Sequence, residues 1–422
     1  RGLSRVTTQL VQGDRVVDLD EQTYRPRGFL AFWGDRTTED DIELEVGRET
    51  VEGLKQGEAT LRVVADRAGT WMRSPDPVIE EVTLPVRLTP PQLSLISNQH
   101  YVSQGGSEVV VYRVGDTAVK SGVQAGDWFF PGFALPGGSP DERFALYAVP
   151  YNVSDRSEVR LVAVDDVGNR ASADFIDKFT PKPYNQGRIE LSDDFMNRVV
   201  PEIMNNTPEM SDQGSPVDNY VWINRELRKK NRERLKELAA QSKEEFLWDQ
   251  VFLQMPNAQV MSPFATQRTY LYDGEEVDQQ FHLGFDLATV ARDEIQAVNS
   301  GIVLHAGYYG IYGNAVVIDH GYGLTSLYGH LSSIDVQEGQ TVERGQTIGR
   351  SGQTGLAGGD HLHLGIMLQG LPVTPVEWWD AHWIEDRLDR KMGEALPFGN
   401  SQGAQGEQEE QDAGATPARG AG

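Results

Sequence analysis

Residues 313–332 read GNAVVIDHGYGLTSLYGHLS. The apolar runs on either side of Gly321 and Gly323 are too short for helices and are bounded by glycine, which is the pattern of strands joined by tight turns. Working outward, the same texture recurs in SGIVLHAG (300–307), QTIGRSG (346–352) and LHLGIML (362–368). Residues 250–390 therefore read as one compact, glycine-rich antiparallel β domain. Glycines at 310, 313, 321, 323, 339, 345 and 349 mark its turn positions.

Upstream, RVVDL, GFLAFW, IELEV, ATLRVVA and VTLPVRL read as strands within residues 1–89, and the pair Pro90-Pro91 marks a boundary. EVVVYRV, FALYAV and EVRLVAVDD are the clearest strands of a second β unit, 90–180. LRVVADRAGT (61–70) resembles RLVAVDDVGN (160–169), so we expect two immunoglobulin-like β-sandwich domains. Residues 181–249 form a helical connector, with a helix over roughly 222–245 that places Ile223, Leu227, Leu235 and Leu238 on one face. Its interleaved Glu and Lys/Arg read as a solvated face, which gives the helix a packing role. Residues 391–422, small and polar, are expected to be a disordered tail.

The 422 residues carry 63 Asp plus Glu against 38 Lys plus Arg, a formal charge of -25 that opposes nucleic acid and anionic membrane surfaces. Cysteine is absent, which removes disulfides and thiolate chemistry. Any metal must then sit on histidine and carboxylate. No apolar run approaches the roughly 18 residues of a membrane span. The chain starts at Arg1 without an apolar leader, so an export signal or membrane anchor is expected only in a segment upstream of this sequence.

Eight histidines are present, and several cluster near strand ends. In DHLHLGI (360–366), strand alternation puts His361 and His363 on one face. In FHLGFDLA (281–288), His282 stands four residues before Asp286, a spacing that can bring both to one ion across an irregular strand end. Read singly, each pair also fits ordinary strand residues. His330 in SLYGHLS adds a third element within about a hundred residues.

At this point residues 258–379 resemble the lysostaphin/LytM-type zinc endopeptidases, hydrolases of cell-wall peptide cross-links. FHLGFDLA is similar to the family's first metal motif and GNAVVIDHGYGLTSLYGHLS to its central strands. VQEGQTVERGQTIGRSGQTG resembles its glycine-turn region, HLHLGI its last motif and GLPVTPVEWW its closing segment. The resemblance implies one zinc ion bound by His282, Asp286 and His363, with His330 and His361 as catalytic histidines. The sequence departs from the family in having Gly359-Asp360 before the last motif and Leu364 where an aromatic is common. The implied function is hydrolysis of peptidoglycan peptides in the bacterial envelope, periplasmic or extracellular, with the N-terminal β domains available to envelope protein partners. The alternative is a noncatalytic scaffold or activator of other wall hydrolases. A phosphocarrier is a third reading, which the HxxxD pair opposes.

His305 and His320 read as structural, and His100 and His382 carry no motif. Tyr270, Tyr308 and Tyr312 sit in loops that either wall a peptide groove or pack.

Overall fold

The computed structural model describes residues 2–25, 37, 39–69 and 75–397. They fall into two compact units, one built from 1–91 with 165–170 and the other from 92–164 with 171–422. In the first, strands Leu3–Gln12, Arg15–Thr23, Gly57–Arg67 and Val78–Val86 form one antiparallel sheet in the order second, first, third, fourth. The first two are joined by the two-residue loop Gly13-Asp14, whose glycine takes the φ of +59° that a tight hairpin requires. Where two packed sheets were expected, the described residues of this unit form one. IELEV is not a strand, although its alternation of Ile42, Leu44 and Val46 with glutamate favours one: among the described residues the unit's sheet has only the four strands above, and none pairs with it. GFLAFW lies outside the described residues.

The second unit opens with two four-stranded sheets. One contains Leu93–Leu95, Ser107–Val114, Phe133–Ala134 and Glu142–Ala148; the other contains Ala118–Ala125, Trp128–Pro131, Val159–Asp165 and Arg170–Ala173. Val109, Val111, Val123, Phe130, Phe144 and Leu161 from both sheets join one buried cluster. Ser107–Val114 is buried on both faces apart from Arg113, which explains its unbroken apolar run. Phe144 stacks on Phe246 and meets Tyr322 edge-on at 4.9 Å, so this core runs on into the C-terminal region.

That region is centred on an eight-stranded antiparallel sheet in the order Gln259–Ser262, Phe285–Ala288, Leu362–Leu368, Leu324–Leu331, Asn314–Gly321, Gly301–Tyr308, Thr341–Val342, with Leu371–Val373 paired to Leu362–Leu368. The stretch 313–332 supplies the two central strands. Val316, Val317, Ile318, Leu324 and Leu327 are buried there, each contributing about 1.5–3 kcal/mol.

Residues 181–249 are more than a spacer. Gln186–Glu190 adds in parallel to Thr266–Tyr272, which pairs antiparallel with Glu275–His282. Ser192 caps helix Asp193–Asn205 by accepting from the Phe195 N–H. The long helical stretch runs from Pro216 to Ala239, through Pro216–Trp222, a π-turn at Ile223–Leu227 and Arg228–Ala239. It starts earlier than expected because Ser215 caps it and Pro216 suits its first position. It ends earlier because Ser242 donates to Asp319 at 2.6 Å and draws the chain away. Ile223, Leu227, Leu235 and Leu238 are buried, in one cluster with Val317, Leu327 and Met367 of the large sheet. Among the described residues no helix is long and apolar enough to cross a membrane.

Candidate metal centre

Three neighbouring strands assemble the site. Asp286 lies opposite His363 on the ladder between Phe285–Ala288 and Leu362–Leu368, and Gly329 lies opposite His363 on its other side. His330 follows Gly329. It is held at φ +65°, a left-handed conformation costing a non-glycine residue roughly 1–2 kcal/mol. Hydrogen bonds around it oppose that strain: the Asn314 amide and Thr354 hydroxyl donate to the Leu331 carbonyl, and His330 Nδ1 donates to the Thr354 carbonyl at 2.8 Å. His282 arrives at the end of the hairpin Thr266–Tyr272/Glu275–His282, whose Asp273-Gly274 turn has positive φ at both residues.

His282 Nε2 lies 2.8 Å from Asp286 Oδ1 and 3.0 Å from His363 Nδ1, and His363 Nδ1 lies 3.0 Å from Asp286 Oδ1. All three residues are buried, and their donor atoms can reach one ion. The surroundings suit a metal. His282 Nδ1 is within 3.2 Å of the Pro263 carbonyl, an acceptor that holds a proton on Nδ1 and turns the Nε2 lone pair to the centre. His363 presents Nδ1, while its Nε2 is buried with no hydrogen-bond partner among the described residues. Gly284 leaves room for that ring, since a Cβ there would sit 2.5 Å from Nε2.

The five residues singled out from the sequence meet here. His361, half-buried, has Nε2 3.5 Å from Asp286 Oδ1 and donates from Nδ1 to the Gly359 carbonyl at 2.8 Å. The His330 and His361 rings are 4.8 Å apart. Burial lowers the affinity of His282 for a proton to a pKa of about 4, against the pull of Asp286. Burial also lowers His363, and lowers His330 strongly with the help of the two neighbouring imidazoles. Burial pushes Asp286 the other way but is outweighed by the surrounding histidines, which hold it well below the usual carboxylate range. His361 is raised, because the attraction of Asp286 exceeds the cost of its burial.

Some residues of the site carried no motif. Arg268 donates to Asp286 Oδ2 at 2.6 Å and fixes the carboxylate. Asp273-Gly274 signals the hairpin, but the turn alone would put Arg268 opposite Gln279; a bulge between Tyr270 and Leu271 shifts the register by one, so that Thr266 lies opposite His282 and Arg268 opposite Gln280. Asp360 accepts from the Ser351 hydroxyl at 2.6 Å and the Arg292 N–H at 3.1 Å, tying down the turn before His361. A cavity of about 640 Å³ opens over the histidines and is also lined by Tyr270 and Tyr312, together with Ile189, Phe195, Tyr220 and Arg228 from the upstream segment. Tyr308 is not in that lining; its hydroxyl faces Glu202. His320 is a buried structural residue between the Ser300 carbonyl and Ser326, and His305 pairs with Glu338.

Two imidazoles and a carboxylate converging beneath two further imidazoles, on antiparallel strands with an open cavity above, define the class: a β protein with a histidine-aspartate cluster able to hold a metal ion. Residues 280–375 match the family model described as Peptidase family M23, and the chain thus carries a peptidase M23 domain there. It is 40% identical over 97 residues to the DD-carboxypeptidase/endopeptidase Mpg of Neisseria meningitidis serogroup B (strain ATCC BAA-335 / MC58), covering 23% of this chain and 22% of that one. It is likewise 40% identical over 96 residues to the peptidoglycan DD-endopeptidase ShyA of Vibrio cholerae, again 23% of this chain and 22% of the relative. The matches thus span just over a fifth of these relatives' length. Among solved structures, the catalytic domain of lysostaphin from Staphylococcus simulans is similar at 23% identity, covering 34% of this chain and 96% of that domain, with a TM-score of 0.23.

Proposed function

We propose that this chain is a zinc-dependent endopeptidase that hydrolyses peptide cross-links of bacterial peptidoglycan. The observation that carries the reading is the convergence of His282 Nε2, Asp286 Oδ1 and His363 Nδ1, with His330 and His361 beside them and a cavity above. His282, Asp286 and His363 would hold the ion. Zinc in such a donor set supplies Lewis acidity, making a water more acidic and stabilising negative charge at an amide oxygen.

The rest of the chemistry belongs to the protein. His330 and His361 each commit Nδ1 to a backbone carbonyl, so each presents an Nε2 lone pair when neutral. Either can accept a proton from the attacking water and, once protonated, return it to the departing amine nitrogen. Arg268 holds the Asp286 carboxylate in place, and the Pro263 carbonyl holds the His282 tautomer.

We assign the role to the bacterial envelope, where the cross-linked substrate lies; the relatives Mpg and ShyA are named as a DD-carboxypeptidase/endopeptidase and a peptidoglycan DD-endopeptidase. We read residues 90–180 as an immunoglobulin-like unit that positions residues 250–390, and the single-sheet unit within residues 1–89 as one that receives envelope partners, with 181–249 leading into the catalytic domain. The paired four-stranded sheets of the second unit support that reading.

The test is mass spectrometry of soluble products from purified peptidoglycan treated with zinc-loaded protein, beside His361→Ala. New peptide termini from the parent alone are expected and identify the bond. No products from either would overturn the enzymatic reading in favour of a scaffold, and equal product patterns from both would remove His361 from the chemistry.

A further inference from the structure

The cavity over the metal centre has a second wall, and that wall lies outside residues 280–375. Arg228 stands on it, half-buried, in the first turn of Arg228–Ala239. The other ionisable groups in the lining, besides the histidines and tyrosines, are Glu190, Arg268 and Asp286. Arg268 is taken up by Asp286, and Glu190 is exposed at the end of its strand. Among the described residues no carboxylate pairs with Arg228, in a chain where acids outnumber bases by 63 to 38.

The guanidinium is nonetheless held in place. Its Nε donates to the Asn224 carbonyl at 3.1 Å and one terminal nitrogen donates to Asn224 Oδ1 at 2.5 Å. Asn224 is fixed in turn by its amide donating to buried Asp278 at 2.7 Å, and Arg225 donates to the same carboxylate. The π-turn Ile223–Leu227 places Asn224 and Arg228 in this relation. Two of five N–H groups are used, so three remain to face the cavity or solvent. Arg228 lies close enough to Tyr220 and Tyr312 for its charge to act on both, and Tyr312 packs against ligand His363 at 5.2 Å.

An oriented guanidinium without an acid partner, in a cavity next to a hydrolytic centre, matches the geometry of a carboxylate. We propose that Arg228 binds a free carboxylate on the peptide in this cavity, so that the protein selects substrates carrying one near the amide to be cut. The identity of the ligand as a peptide rests on the endopeptidase reading. The helix that the sequence presented as a solvated packing element thereby contributes to specificity.

The experiment is calorimetric titration of the zinc-loaded full chain, carrying His361→Ala to silence turnover, with N-acetyl-D-alanyl-D-alanine and with its C-terminal amide. The carboxylate is expected to bind about tenfold more tightly, an advantage that shrinks to below about threefold when Arg228→Gln is added. Arg228→Lys keeps the charge without the fork and should retain part of it. Thermal melts establish that both variants are folded. The ratio of the two affinities is insensitive to a merely structural role for Arg228. Equal affinities in the Arg228 protein, no binding of either peptide, or an advantage that survives Arg228→Gln and so belongs to the metal, each overturns the proposal. Cleavage of peptidoglycan by the parent protein would still stand in any of those cases, so the two readings fail separately.

Discussion

At the scale of single residues, the proposed zinc-ligand set depends on what is missing from Gly284. A methyl group there would lie 2.5 Å from His363 Nε2 and 2.8 Å from the Leu364 carbonyl, distances at which the ring or the strand must shift. Gly284→Ala is therefore expected to weaken zinc binding by about 10–100-fold while leaving the fold melting cooperatively. Competition with a chromophoric chelator measures this, and unchanged affinity would show that the ring has slack. Asp360 makes a complementary case, because its contacts run to Ser351 and Arg292 beside His361 rather than to the ligands. Asp360→Ala should retain zinc and lose turnover, and the lost hydrogen bonds should cost about 1–3 kcal/mol. Loss of zinc in that variant would mean the turn supports the metal instead. The five proposed site residues were legible through a long ordered resemblance to a known family, since each pair read singly also fits ordinary strand residues. Arg268 and Asp360 were not, since an arginine in a hairpin and an aspartate in a turn acquire meaning only from strand register.

At the scale of elements, helix Arg228–Ala239 shows both what patterning reveals and where it stops. Its apolar residues identified the buried face, yet the polar Asn231 is buried as well and accepts from the Ile311 N–H at 3.0 Å through its side chain. Gly310 is required beneath it, at φ +53° with a Cβ that would lie 2.4 Å from the same amide. Asn231→Leu removes the acceptor and leaves a buried N–H, an expected loss of about 1–3 kcal/mol, read as a lower denaturation midpoint. Because Tyr312 follows one residue later and packs on His363, that variant should also lower activity. A variant as stable as the parent would show that the loop finds another acceptor. The parallel strand Gln186–Glu190 escaped notice for a different reason: five residues with three exposed give no alternation strong enough to read. A chain beginning at 250 lacks both elements and should unfold at lower denaturant than one beginning at 182. Equal midpoints would make the upstream segment an appendage.

At the scale of the whole second unit, the β-sheets near its start and the short helices near its end share a buried ion pair. Glu108, fully buried on strand Ser107–Val114, meets Lys391 of helix Arg390–Met392 at 2.7 Å. Burial pushes the Glu108 carboxyl up to about 7, against the pull of Lys391, and burial lowers Lys391. Since the folded chain holds the Glu108 proton more tightly than the unfolded chain, this group's contribution to stability is greatest below about pH 4.5 and declines as pH rises through about 7. Lys391→Met removes the partner that limits the decline. Near pH 5 the carboxyl is protonated and the substitution should cost little. Near pH 8.5 it leaves a buried, unpaired carboxylate or forces it to stay protonated, for about 3–5 kcal/mol. Melting curves at the two pH values measure the difference, and adding Glu108→Gln should flatten it. A penalty that is the same at both pH values would mean Lys391 acts through its packing alone, and that burial rather than charge joins the sheets to the C-terminal helices.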